Sequence, residues 1–348
     1  MEGPDFLGPF FWGGSLLLLT TPDYLPKLGG LTSHTLNVEK VLKELGVEYE
    51  LFQWNSYLDI IRYPKTKLAK FDYILNIHSG FNMFMPSNDA KVINFVNGAE
   101  MLFYSPSPMK KFVKVLTRKF GLRRMAHAYV NIFISEFTFK KTCSKGLRGD
   151  YSRDIIFPMM VDTSHHKLNL KSLNDPLKFI CVARDVPHKN FAGAIYFCEL
   201  LQEISGRPVE FITVTNKKFE SSKIAIRSVI NPSNEQRDKL LAEAHINLLF
   251  SLDHSHVGFF EGFGQIVQEA GCLGTPSLVL STGGLPESVH DEDTGWVLND
   301  LTETSIKNWW KGMNSEKYEK ISRECYQHTI DSHDLKEWKK LFKTVLGK

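Results

Sequence analysis

The reading of this chain turns on FFEGFGQIVQEAGCLGTPSLVLSTGGLPESV, residues Phe259–Val289. Gly262 and Gly264 bracket Phe263 just ahead of Ile266, Val267 and Ala270, which are apolar and helically spaced, so a glycine-permitted turn opens directly into a helix. The first amides of such a helix lack intrahelical partners and its dipole adds partial positive charge, which together favour a phosphate or diphosphate. Glu261 precedes the helix and Glu269 lies within it; a helical rise over that spacing separates them by up to ~12 Å. The two carboxyl groups of a glycosidase stand roughly 5–9.5 Å apart across one bond. The wider spacing suits the two ends of an extended ligand, with one carboxylate accepting from ribose hydroxyls and the other from a sugar. Gly274, Thr275 and Pro276 end the helix, residues 277–281 read as a buried strand, and Gly283 and Gly284 turn the chain under the same ligand.

Upstream, LKFICVARDVPHKNF (Leu177–Phe191) is a continuous apolar strand that delivers Arg184 and Lys189 at its carboxyl end. Two cations at that spacing can hold a diphosphate that departs with extra negative charge. Alternating elements follow: a helix over 192–204, strands over 209–214 and 224–229, a helix over 234–244 and a strand over 246–251, with Ile230 at the edge of a base pocket. Asp253, His254 and His256 then precede Glu261; the cation clamp and helix start already supply the charge a metal would. No metal or cofactor is therefore expected, and His256 is read as facing the acceptor.

The amino-terminal half repeats the pattern. SLLLLTT is a strand, Gly29 and Gly30 form a loop, Val38, Val41, Leu42 and Leu45 mark one helical face, and VEYELFQW alternates as a second strand. FDYILNIHSG and VINFVNGAEMLF read as strands ending at His78 and at Asn97, positions that line the ligand crevice of a parallel sheet.

EGFGQIVQE, AGCLGTP and STGGLPESV together resemble the donor-site signature of retaining glycosyltransferases of the GT-B fold, glycosyltransferase family 4, whose E-x7-E pattern is matched by Glu261 and Glu269. Arg184 and Lys189 resemble that family's phosphate clamp. The resemblance implies an α/β chain of two Rossmann-like domains with parallel sheets facing an interdomain cleft. It places an acceptor domain at 1–165, a donor domain at 176–331, and a last helix at about 332–348 that packs back on the first domain. Catalytic roles fall to Arg184, Lys189 and Glu261, and donor contacts to Gly30, Asn97, Phe263, Gly264, Glu269 and Ile230. His78 and His256 are acceptor or sugar candidates. The implied reaction moves a hexose-like unit from a nucleoside diphosphate sugar to a glycan or lipid-linked hydroxyl in envelope polysaccharide or glycolipid synthesis. The sequence departs from the family where Asn97 replaces a histidine and where Met159 and Met160 replace Asn-Gly. Those departures support a rival reading, a nucleotide-sugar-binding protein without turnover; a GT-B phosphorylase or epimerase is a second rival.

With 348 residues, 43% hydrophobic and 23% charged, two domains are the natural expectation and disorder is excluded. Five scattered cysteines without a C-x-x-C pair suggest neither disulfides nor zinc, so a reducing cytoplasm is expected. The leader MEGPDFLGPFFWGGSLLLL carries Glu2 and Asp5 where a signal peptide needs positive charge, and no run reaches the length of a membrane helix. Residues 1–170 hold 21 Lys and Arg against 15 Asp and Glu; the remainder holds 21 against 24. PSPMKKFVKVLTRKFGLRRMAH concentrates that excess, with seven basic residues and no acid from Lys110 to Arg124. Met109, Phe112, Val113, Leu116 and Phe120 fall on one face, and Lys110, Lys114 and Arg118 on another. Such a helix suits an anionic membrane surface, hence a peripheral position on the inner face. No nucleic-acid motif accompanies the charge.

Overall fold

The structure, a computed structural model, describes residues 15–25, 30–98 and 108–347, without side-chain detail at 108–114, 116, 117 and 257. The described residues form two compact units. One comprises the chain up to Asp162 with Ser255–Gly262 and the segment from Leu335 onward; the other comprises Thr163–His254 and Phe263–Asp334.

The first unit is built on six parallel strands: β1 (Leu16–Thr21), β2 (Glu48–Gln53), β3 (Tyr73–Asn76), β4 (Lys91–Val96), β5 (Val130–Phe133) and β6 (Asp154–Ile156). Their order is β2-β1-β3-β4-β5-β6, so the winding reverses between β1 and β3. The helices α1 (Gly30–Glu44), α2 (Tyr57–Ile61), α3 (Lys65–Leu68), α4 (Gly80–Phe84), α5 (Pro108–Ala126) and α6 (Glu136–Cys143) connect them. Leu17 and Leu19 of β1, Val38 and Leu42 of α1 and Phe95 of β4 are fully buried in one core. Runs such as the four leucines of LLLLTT do not alternate with polar residues because a parallel sheet is covered on both faces.

The second unit repeats the plan with β7 (Leu177–Val182), β8 (Val209–Thr215), β9 (Ala225–Ile230), β10 (Ile246–Leu249), β11 (Ser277–Leu280) and β12 (Gly295–Leu298), in the order β12-β11-β10-β7-β8-β9. This is the doubly wound order of a dinucleotide fold, and it reverses between β7 and β10. Its helices are α7 (Phe191–Ser205), α8 (Asn234–Glu243), α9 (Gln265–Gly271), α10 (Glu303–Lys311) and α11 (Ser315–Ser332). Phe179, Phe197, Phe211, Phe250, Trp296 and Trp309 fill its core. The last helix, α12 (Leu335–Leu346), belongs to the first unit, where Trp338 and Phe342 join the core of α1 and β4.

At three points the structure corrects or adds to the sequence reading. The helix of the central stretch begins only at Gln265, so the helical-rise estimate does not extend back to Glu261, which belongs to the first unit. Phe120, on the apolar face of α5, is 51% exposed; among the described residues of that helix Gly121, Leu122 and Met125 are buried. A Cβ at Gly121 would lie 2.6 Å from Met83, so the backbone of α5 approaches α4 closely there. Strand β6 has only three residues, too few to show a period in sequence.

Candidate functional site

In a doubly wound sheet the ligand lies beyond the carboxyl ends of the strands at the point of reversal. In the second unit the loops after β7 and β10 meet there: the Leu252 amide donates to the His188 carbonyl (2.7 Å) and the Asn190 side chain to the Phe250 carbonyl (3.2 Å). Val186–Lys189 is drawn into a tight 3-10 turn by the Lys189 amide donating to Val186 (2.9 Å), and Asn190, at φ 54°, caps α7 by accepting from the Gly193 amide. Arg184 stands exposed and Lys189 half-buried on this loop.

Gly264 opens α9 at φ 88°, and a Cβ there would sit 2.9 Å from both Leu249 and Leu285, so conformation and space both demand glycine. Phe263 is 2% exposed, its ring 5.7 Å from that of His333, which leaves only its backbone for a ligand. Gly283 turns the chain after β11 at φ 59°, and Thr282 hydrogen-bonds the Ser251 carbonyl, fastening this loop to the one after β10. Ile230, at the end of the edge strand β9, is 44% exposed, as a stacking surface requires.

Glu269 is only 16% exposed and pairs with Arg237 of α8, Oε2 to guanidinium 3.4 Å. Burial pushes its carboxyl above the ordinary range, with Arg237 acting in the opposite sense. The network extends further, since Arg237 donates to Asp238 (3.1 and 3.0 Å) and His166 Nε2 lies 3.3 Å from the other Asp238 oxygen. Burial alone would raise the Asp238 carboxyl; the His166 and Arg237 hydrogen bonds outweigh it and hold the group below its usual range. Nothing in the sequence marked this cluster beyond an arginine beside an aspartate at the start of a helix, which is ordinary on a solvated face.

The first unit gathers a second set. Asn97 donates to the Ile77 carbonyl (2.6 Å), next to His78, whose Nδ1 accepts from the Gly80 amide (3.1 Å). The proton of neutral His78 is therefore on Nε2. The segment Ser255–Gly262, which carries His256 and Glu261, packs against the same strand ends. Ser135 donates to the Gly262 carbonyl (2.6 Å), Lys141 to Ser255 (2.8 Å), and Phe260 meets Phe137 edge-on at 5.2 Å. A Cβ at Gly262 would be 2.7 Å from the Asn97 carbonyl, and one at Gly98 3.4 Å from Phe260. His78, Asn97, His256 and Glu261 thus share one region, and Arg184, Lys189, Gly264, Ile230 and Glu269 the other unit. Gly30 is the first residue of α1, and its partner Gly29 lies outside the described residues, as do residues 1–14 and the side chains of Lys110 and Lys114. Among the described residues no three His, Cys, Asp or Glu side chains converge as metal ligands would, and no helix is long and apolar enough to cross a membrane.

Each unit is a doubly wound parallel sheet, and together they define a two-unit α/β architecture of the Rossmann type. Residues 163–308 match the family described as glycosyl transferases group 1. No curated protein sequence matches the chain. Among solved structures it is similar to sucrose-phosphate synthase of Thermosynechococcus elongatus (12% identity, TM-score 0.72, covering 95% of this chain and 99% of that one). It is also similar to Anabaena HepE in complex with UDP-glucose (13%, 0.66, 95% and 99%) and to a glycosyltransferase of Rickettsia africae (15%, 0.67, 96% and 99%). The fold is GT-B, and the resemblance to a GT-B glycosyltransferase read from the sequence holds; family 4 is consistent with the matched group.

Proposed function

We propose that the protein is a retaining hexosyltransferase that moves a hexose-like unit from a nucleoside diphosphate sugar to a hydroxyl of a glycan or lipid-linked acceptor, in envelope polysaccharide or glycolipid synthesis. The observation that carries this reading is the loop of Arg184 and Lys189 at the reversal point of a group 1 glycosyltransferase segment, with the buried carboxylate of Glu269 on the following helix. A structural neighbour that holds UDP-glucose supports it.

Arg184 and Lys189 neutralise the diphosphate as the anomeric C–O bond breaks, which lowers the barrier because the charge develops at that oxygen. Ile230 covers the base, Glu269 accepts from the ribose hydroxyls, and Glu261 with the backbone amides of Phe263 and Gly264 holds the sugar. His78, Asn97 and His256 are the sugar and acceptor contacts. The acceptor oxygen bonds the anomeric carbon on the face the diphosphate leaves, and its proton passes to the leaving phosphate, so no protein base and no metal is invoked. Helix α9 has seven residues, so the cations rather than a long dipole supply most of the positive charge. A peripheral position on an anionic membrane surface is supported by basic α5, where Val115 and Phe120 are exposed among the cations, an arrangement suited to an interface.

The test is thermal unfolding with UDP, GDP, ADP and their sugar conjugates, using Glu269→Ala as control. A nucleotide at one hundred times its Kd stabilises by about 2.7 kcal/mol, a shift of a few degrees. One nucleotide family should shift the parent and not the variant; no shift with any of them would overturn the donor assignment. Transfer of sugar to an acceptor then separates a transferase from a binder.

A further inference from the structure

The ion pair of Glu269 lies outside the roles assigned above. Among the described residues the Glu269 carboxylate makes one ion pair, through Oε2 to Arg237 at 3.4 Å, and no side-chain hydrogen bond engages its Oε1. Arg237 is itself 21% exposed and is held from behind by Asp238, which His166 holds in turn. The guanidinium is thus fixed in place before any ligand arrives. Ser233 starts α8 with a reciprocal cap: its hydroxyl accepts from the Gln236 amide and the Gln236 side chain accepts from the Ser233 amide. That cap sets the register which brings Arg237 to Glu269.

We propose that Arg237 is a positioning residue of the donor site: it anchors one oxygen of Glu269, keeps the buried carboxylate charged, and leaves the other oxygen to accept from the nucleotide ribose. The inference rests on the reading of Glu269 as the ribose ligand. A carboxylate this buried is costly to leave charged without a cation. Its burial raises the pKa, and Arg237 is the first group that opposes the rise. The other groups that face Glu269 are Asp238 on α8, which raises it, and His166 ahead of β7, which lowers it. Cys272, at the end of α9, follows Glu269 along the chain, with Cys325 of α11 behind it. Neutral Glu269 would present a hydroxyl where the ribose needs an acceptor, so nucleotide affinity is expected to fall as pH falls. Arg237 sets where that fall occurs.

Calorimetry with UDP, GDP and ADP across pH 5.5–8 tests this on the parent, Arg237→Gln, Arg237→Lys, Glu269→Gln and the double variant Arg237→Gln/Glu269→Gln. The low-pH loss of binding should move to higher pH in Arg237→Gln by about one unit or more, the size a neighbouring cation gives a carboxylate. Arg237→Lys should move it back toward the parent. A profile in Arg237→Gln that overlays the parent's overturns the proposal. Should Arg237→Gln not fold, the double variant buries no lone charge and is compared with Glu269→Gln alone. The two should bind equally, because Arg237 acts through the Glu269 charge, and a further loss in the double variant would mean that Arg237 contacts the nucleotide itself and would overturn positioning. If the parent binds none of the three nucleotides, or Glu269→Gln binds as the parent does, the donor reading fails rather than the role of Arg237 within it.

Discussion

At His34 an imidazole is fully buried, with the rings of Phe95 and Trp338 at 4.5 and 4.9 Å between centroids. Burial pushes its pKa down to about 3, with the Asn97 side chain acting the other way. An unfolded histidine titrates near ~6.5. In the window between, the unfolded chain binds a proton that the folded chain refuses. The stabilisation is thus complete above about pH 6.5 and is lost as pH falls toward 3, by at most ~1.4 kcal/mol per pH unit for one group. His245, 4% exposed and pushed to about 4 by burial and then by Lys171, adds a loss of the same sign. His34→Gln should therefore be less stable than the parent at pH 8, and the gap in urea-unfolding free energy should narrow by about 2 kcal/mol at pH 5. A gap independent of pH would show that His34 titrates alike in both states. The glycine turns and the cations of the second unit's candidate site were legible because glycine at a turn and paired cations after a strand have local physical reasons. His34 was not, since GLTSHTLN reads as a polar first turn, and what buries it arrives from the last helix. Arg237 and His166 were not legible for the same reason: Arg237 pairs with Glu269, and His166 with Asp238, across long stretches of chain.

Across the sheet of the first unit runs a chain of amides that no single strand reveals. Thr20 donates to Asn76 (2.7 Å), Asn76 to Asn94 (2.8 Å), Asn94 to Asn131 (2.9 Å) and Asn131 to Asp154 (2.7 Å), each pair in register on adjacent strands. All five are essentially inaccessible, at 3% exposure or less. Asp154 can only accept, so every amide must present its carbonyl oxygen toward β1 and its NH2 toward β6, and the donor sense is the same along the whole ladder. The ladder also fixes register, because a one-residue slip of any strand would turn its member to the other face. Replacing Asn94 with Ala orphans the Asn76 amide and the Asn131 carbonyl together, and should cost about 3 kcal/mol in urea-unfolding free energy. A loss below about 1 kcal/mol would mean that water replaces both bonds. The strands themselves were legible from their apolar runs. Their pairing was not, since a strand period reports which residues share a face and is silent on which residues of another strand lie opposite.

For the whole molecule, the asymmetry of charge outlasts the change in the packing of α5. The excess of cations in residues 1–170 is concentrated on this helix. Its described outer surface carries Val115 at 42% and Phe120 at 51% exposure, with the Arg124 guanidinium 5.2 Å from the Phe120 ring. An apolar ring ringed by cations pairs a group that inserts below lipid headgroups with groups that meet their phosphates. Each cation near an anionic membrane contributes about 1 kcal/mol, so changing Lys110, Lys114 and Arg118 to Gln together should weaken binding to phosphatidylglycerol vesicles by about a hundredfold. Phe120→Ser should weaken it at high salt as well as low, since insertion is not screened, whereas the charge variant should match the parent once salt has screened the surface. Sedimentation with vesicles of phosphatidylglycerol and of phosphatidylcholine separates the two terms. Equal binding of the parent to both lipids would remove the anionic headgroup from the proposal, and binding to neither would remove the membrane, while the proposed donor site of the second unit would stand, because no residue of α5 belongs to that unit.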